Sequence, residues 1–196
     1  DTPVTYNFTV NEKGYIPIYS IATTNRDTAT QGDIVHMNVS IKPAWAFYYG
    51  NSRYLENPSE FILLPPGFQL DEQSFRGVFT RGSWQISKPR KVTNARNVPA
   101  GWTVWRIDNT VKISWENTII KYDFDIKLSD SVLPGTYDLE QNVFIGSDNP
   151  KYQVHWAWGE QAIDDPYGLW GTTTVNKIGR YVHQRKVLTV TALNYG

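Results

Sequence analysis

The chain has 196 residues, with 19 Lys and Arg set against 19 Asp and Glu. A formal charge of zero exerts no general pull on a nucleic-acid backbone or an anionic membrane, so neither is an expected partner. Hydrophobic residues at 40% and aromatic residues at 14% supply apolar surface for a sizeable core. No apolar run approaches the roughly 20 residues of a spanning helix. The absence of cysteine excludes disulfide scaffolds, thiolate metal sites and cysteine nucleophiles.

Alternation with period two dominates the chain from its first residues. In Val4–Val10 the apolar side chains fall on one face. From Asp33 to Ile41, Val35, Met37, Val39 and Ile41 are expected inward, with His36, Asn38 and Ser40 outward. A strand from Thr110 to Trp115 points Val111, Ile113 and Trp115 inward. The stretch Ile120–Leu128 does the same with Tyr122, Phe124, Ile126 and Leu128, leaving Lys121, Asp123, Asp125 and Lys127 on a solvated, salt-bridged face. Tyr152–Trp158 and Lys186–Ala192 complete the series.

Turn signals separate these runs: Gln31-Gly32-Asp33, Pro65-Pro66-Gly67, Asp108-Asn109, Pro134-Gly135 and Asp148-Asn149-Pro150. Pro, Gly and β-branched residues interrupt every candidate amphipathic helix. The pattern predicts an all-β fold, an antiparallel β-sandwich formed by one elaborated domain over 1–196. Two insertions are expected. Residues 72–102 are basic and irregular, while 146–176 are rich in aromatics, glycine and acids. Long insertions of this kind often carry function.

No catalytic constellation emerges. Glycoside hydrolysis needs two carboxylates about 5–10 Å apart across the bond, and none of Glu12, Glu56, Glu60, Glu72, Glu116, Glu140 and Glu160 lies in an alternating acid pattern on an inward aromatic strand face. Gly-x-Ser-x-Gly is absent, and His36, His155 and His183 lack metal-ligand spacing. The chain is therefore expected not to be an enzyme. Ser147-Asp148-Asn149 and Asp164-Asp165 are short acidic loops of the type that can hold Ca2+, although Asp-Asn-Pro and Asp-Asp-Pro are also ordinary turns. No other cofactor is expected.

The aromatic segment is the candidate ligand site. Trp158 shares a strand face with Trp156, and Tyr167 and Trp170 follow in a loop holding Asp164 and Asp165. Indole rings stack on the apolar faces of sugars, and nearby carboxylates accept hydroxyl hydrogen bonds. The same rings could instead bury the underside of a long loop. Trp156, on a strand, leans to the core; Trp170, between Gly168 and Gly171, is the ring expected at a ligand.

Read in order, Gln31-Gly32-Asp33 opening a strand, Leu64-Pro65-Pro66-Gly67-Phe68, and Pro134-Gly135-Thr136-Tyr137 before a late strand form a series. This series resembles the immunoglobulin-like modules of Gram-positive, cell-wall-anchored surface adhesins of the lactobacillus and streptococcus type. The resemblance implies an extracellular adhesin domain, monomeric within a longer multidomain chain. It implies a host epithelial or extracellular-matrix glycan or protein as partner, and no membrane insertion. The termini, Asp1-Thr2-Pro3 and Asn194-Tyr195-Gly196, fit the expectation of a domain taken from such a chain. A carbohydrate-binding module associated with a glycoside hydrolase, or a ligand-free spacer, are the alternative readings.

Overall fold

The computed structural model describes residues 16–43, 54–56, 58–79, 85–110, 112–114, 120–147, 154–156, 160–164, 177–181 and 186–193. In chain order the strands are β1 (Ile16–Thr24), β2 (Thr28–Thr30), β3 (Ile34–Pro43), β4 (Tyr54–Glu56), β5 (Pro58–Leu64) and β6 (Phe68–Phe79). There follow β7 (Gln85–Ile86), β8 (Arg90–Lys91), β9 (Thr103–Thr110), β10 (Lys112–Ser114), β11 (Ile120–Leu128) and β12 (Gly135–Tyr137). The last are β13 (Val143–Ser147), β14 (Val154–Trp156), β15 (Glu160–Asp164), β16 (Lys177–Tyr181) and β17 (Leu188–Thr191). Among the described residues the one helical element is a 3-10 turn at Glu140–Asn142.

Two sheets form the sandwich. One runs β14-β1-β3-β11-β6, and the other runs β15-β16-β13-β5-β9-β7 with β8 also beside β9. Smaller sheets, β12-β17-β2 and β10-β4, complete the set. The pairs are antiparallel apart from β1 with β14 and β2 with β17. The all-β sandwich expected from the alternation is the architecture observed.

The core follows from side-chain parity. On β3, Val35, Met37 and Val39 are buried; on β11, Tyr122, Phe124, Ile126 and Leu128 are buried. Register places Met37 beside Phe124 and Val39 beside Tyr122. Ile62 and Leu64 of β5, Trp105 and Ile107 of β9, and Val143 of β13 belong to the same core. Each such side chain taken from water contributes about 1.5–3 kcal/mol.

Strand β5 is apolar on both faces, and its outer face forms a second cluster. Phe61, Leu63, Val104 and Phe144 are covered by Val92, Ala95, Val98 and Trp102. This corrects the reading of 72–102 as one irregular insertion: residues 72–79 continue β6, β7 and β8 follow, and the 92–102 loop seals the second cluster. The Thr110–Trp115 strand is likewise redrawn. Thr103–Thr110 is β9, and Lys112–Ser114 is β10 paired with β4. Strand β17 stops at Thr191, so Ala192 is exposed and does not continue the inward set. Residues 4–10, Val111, Trp115 and His183 lie outside the described residues.

Three of the expected turns, at Gly32, Gly67 and Pro134-Gly135, gather at one end of the sandwich; Asp108-Asn109, expected as a turn, lies inside β9, and Asp148-Asn149-Pro150 falls outside the described residues. The Gly32 amide donates to the Leu128 carbonyl at 2.7 Å, and the Ser129 amide donates to the Gly67 carbonyl at 2.9 Å. Gly67 has φ +85°, and a Cβ there would stand 2.7 Å from Val132 Cγ2, so both backbone and packing require glycine. The Tyr137 hydroxyl donates to the Leu133 carbonyl, pinning the turn before β12.

Candidate functional site

The aromatic segment reaches the edges of both sheets. Strand β14 pairs in parallel with β1, matching Ile16 to Val154 and Ile18 to Trp156, and forms the edge of the five-stranded sheet. Strand β15 pairs with β16, matching Asp164 to Lys177, and forms the edge of the other sheet. The described parts of the segment, residues 154–156 and 160–164, are thus edge strands of two different sheets. Asp164 is the last residue of β15. Trp158, Asp165, Tyr167 and Trp170 lie outside the described residues, as do Asp148 and Asn149 of the other candidate calcium loop. Among the described residues no group of three or more His, Asp or Glu side chains could hold a metal ion.

Several carboxylate networks form among the described residues, and each occupies its acid differently. Asp123 and Asp125 flank His36 on the outer face of the five-stranded sheet: Nδ1 lies 2.7 Å from Asp125 Oδ1, and Nε2 lies 3.3 Å from Asp123 Oδ1. Asp123 and Asp125 meet His36 of β3, where the sequence pattern points to Lys121 and Lys127 as their partners. The Asp125 amide donates to Ser74 Oγ at 2.7 Å. This contact falls where β6 bulges between Asp71 and Arg76.

On the outer face of the second sheet, Asp108 accepts from Ser59 Oγ at 2.7 Å and Arg106 Nε at 2.6 Å, with Arg90 at 3.3 Å. Partial burial pushes this carboxyl up, but the Ser59 and Arg106 hydrogen bonds and the Arg106 and Arg90 charges outweigh it. Asp108 is held below the usual carboxylate range. Arg90 is thus drawn into a structural network.

Glu140, in the 3-10 turn, joins distant parts of the chain. Its Oε1 accepts from the Thr24 amide at 2.8 Å and the Thr24 hydroxyl at 3.2 Å, and its Oε2 accepts from the Lys186 amide at 2.8 Å. The end of β1 and the approach to β17 are clamped to one side chain.

Glu60 is the residue that sequence reasoning missed. It sits on β5 in step with Ile62 and Leu64, faces the main core and is 0% exposed. Asn109 Nδ2 of β9 donates to its Oε2 at 2.7 Å. The Tyr122 hydroxyl of β11 faces the same carboxyl without settling into hydrogen-bond geometry. Burial pushes the Glu60 carboxyl up to about 8 and the Tyr122 phenol above its ordinary value. The signal was present in parity: Glu60, Ile62 and Leu64 share one face, as do Trp105, Ile107 and Asn109.

No protein-family model matches the chain, and no curated protein matches it. Among solved structures it is similar to the T6 backbone pilin of serotype M6 Streptococcus pyogenes. That likeness has 10% identity over 89% of this chain and 36% of the pilin, with a TM-score of 0.42. It is similar to AvmM, which catalyzes macrocyclization in alchivemycin A biosynthesis, at 14% identity over 94% of this chain and 93% of AvmM, TM-score 0.40. The group B streptococcus pilus 2b backbone protein shares 19% identity over 73% of this chain and 58% of its own length, TM-score 0.35. The chain thus spans little more than half of one pilin and about a third of the other. Likenesses of this degree carry no argument about activity or partners.

Proposed function

We propose that the chain is a non-catalytic, immunoglobulin-like adhesion module of an extracellular Gram-positive surface protein, anchored to the cell wall. Its ligand is a host cell-surface or matrix glycan or protein, taken by the segment from Tyr152 to Trp170. The observation that carries this reading is the placement of the three turn motifs. Gly32 and Asp33 precede β3, Leu64 to Phe68 join β5 to β6, and Pro134-Gly135 lead into β12, all on a sandwich of the expected architecture. The aromatic segment adds to it, because β14 and β15 bring its described parts to the sheet edges, where a loop can lengthen without disturbing the core.

The non-enzymatic part rests on how the resolved acids are used. Asp108 is tied to Ser59 and Arg106, Asp123 and Asp125 flank His36, and Glu140 holds backbone amides. Glu60 has no exposed surface through which to meet a substrate.

The test compares Trp170→Ala with Trp156→Ala by thermal melting and by binding to host cells and a glycan array. Trp170→Ala is expected to keep the melting temperature and lose affinity by about 1–3 kcal/mol, a scale borrowed from base stacking. Trp156→Ala is expected to destabilise by about 3–5 kcal/mol. Unfolding of Trp170→Ala, or unchanged binding, overturns the site. A well-folded wild type that binds neither cells nor glycans favours a spacer.

A further inference from the structure

The core of this sandwich contains one acid that the adhesion reading does not use. Among the described residues Glu60 Oε2 has one hydrogen-bond donor, Asn109 Nδ2 at 2.7 Å, and Oε1 has no hydrogen-bond partner. The groups facing it can be taken element by element. Strand β9 presents Asn109 and, further off, the like-charged Asp108; β11 presents the Tyr122 phenol. Around them the surroundings are apolar. Val39 of β3 lies beside Tyr122, Phe75 of β6 packs on the Tyr122 ring at 5.7 Å, and Ile86 of β7 stands opposite Asn109. No cation among the described residues offsets a negative charge there. A carboxylate with one amide donor in such surroundings is strongly disfavoured, whereas a carboxylic acid is a tolerable core group.

We propose that Glu60 is a proton-operated latch in the core: neutral, it packs between the sheets as part of the core, and on losing its proton it loosens the region where β5, β9 and β11 meet. The carboxyl is pushed up to about 8, first by burial and then by the Asp108 charge, against smaller lowering from Asn109, Tyr122 and its own backbone. In the unfolded chain the same group has its ordinary value of 4.5. The folded state therefore binds the extra proton between those limits. The contribution of Glu60 is fully present below about pH 4.5 and is lost as pH rises through about 8. The domain is most tightly closed in mildly acidic surroundings and softens on the alkaline side.

The experiment is chemical unfolding of the full chain across pH 5–9, wild type against Glu60→Gln, which keeps the shape and removes the titration. The ratio of the two folding constants, wild type over variant, is expected to fall about tenfold per pH unit up to about pH 8 and then level off. Parallel profiles overturn the latch. A carbon-13 NMR titration of the Glu60 carboxyl in the intact wild type gives an answer independent of whether the variant folds. A midpoint near 8 supports the latch, and a midpoint in the ordinary carboxylate range overturns it.

Discussion

Glu140 and Glu60 are both withdrawn from water, at 7% and 0% exposure, yet their surroundings differ in kind. Glu140 meets two backbone amides and a hydroxyl, so each oxygen has a donor. Glu60 meets one side-chain amide and a phenol, within a wall of apolar groups. Depth of burial does not decide what a buried acid does; the number of donors aimed at it does. Glu140 fastens backbone segments that are far apart in the chain. Glu60 fastens little and makes the core answer to pH.

The largest test of this contrast is Glu140→Leu. It strands the Thr24 and Lys186 amides, at about 1–3 kcal/mol for each donor left without a partner. Urea unfolding at neutral pH should show that loss; stability within 1 kcal/mol of wild type, roughly the net worth of one ordinary hydrogen bond, would break the comparison. Next come the paired glutamine variants above pH 8. Glu140→Gln should destabilise because an acceptor oxygen becomes a donor facing an N–H, while Glu60→Gln should stabilise by removing a charge from the core. Equal signs would mean that the two sites are not distinct.

Thr24→Val sharpens the contrast further. It removes the hydroxyl donor but keeps the Thr24 amide bonded to Glu140, so the expected loss is about 1 kcal/mol, read as a shift of the denaturation midpoint. The smallest effect is expected at Asp108, whose partly exposed pairs are screened by solvent. Its carboxyl is held low, so its contribution is present above the ordinary value of 3.8 and lost as pH falls through the folded one. An Asp108→Asn variant should therefore be less stable than wild type at neutral pH and converge with it in acid, a divergence opposite in sign to that of Glu60→Gln. Convergence on the alkaline side instead would contradict the network drawn around Asp108.

Much of the scaffold could be read from the chain. Val35, Met37 and Val39 on β3 and Tyr122 to Leu128 on β11 alternate cleanly because each strand has one wet face. Strand β5 has none: Phe61 and Leu63 bury outward while Ile62 and Leu64 bury inward. The period-two signal vanishes there, and the parity that places Glu60 inside vanishes with it. An inward glutamate also runs against what residue type alone suggests. The 92–102 loop was masked by its charged neighbours, since Val92, Ala95, Val98 and Trp102 cover their cluster without any regular spacing. The aromatic segment was legible as composition. The edge pairings of its described parts were not, because β14 meets β1 across more than a hundred residues and β15 meets β16 beyond the segment's own strand signal.

The parallel pairing of β17 with β2 bears on how the domain would take tension. Thr28 to Thr30 run alongside Thr189 to Thr191 in the same direction, with the Thr189 amide bonded to the Asp27 carbonyl at 2.8 Å. A force drawing residue 28 backwards and residue 191 forwards slides the two strands past each other. The rungs between them are then stretched together, where a hairpin pulled at its open end parts one rung at a time. On the other flank β17 is paired to β12, so sliding must disturb two ladders at once. Loaded at those two strands, the joint resists in shear rather than by unzipping.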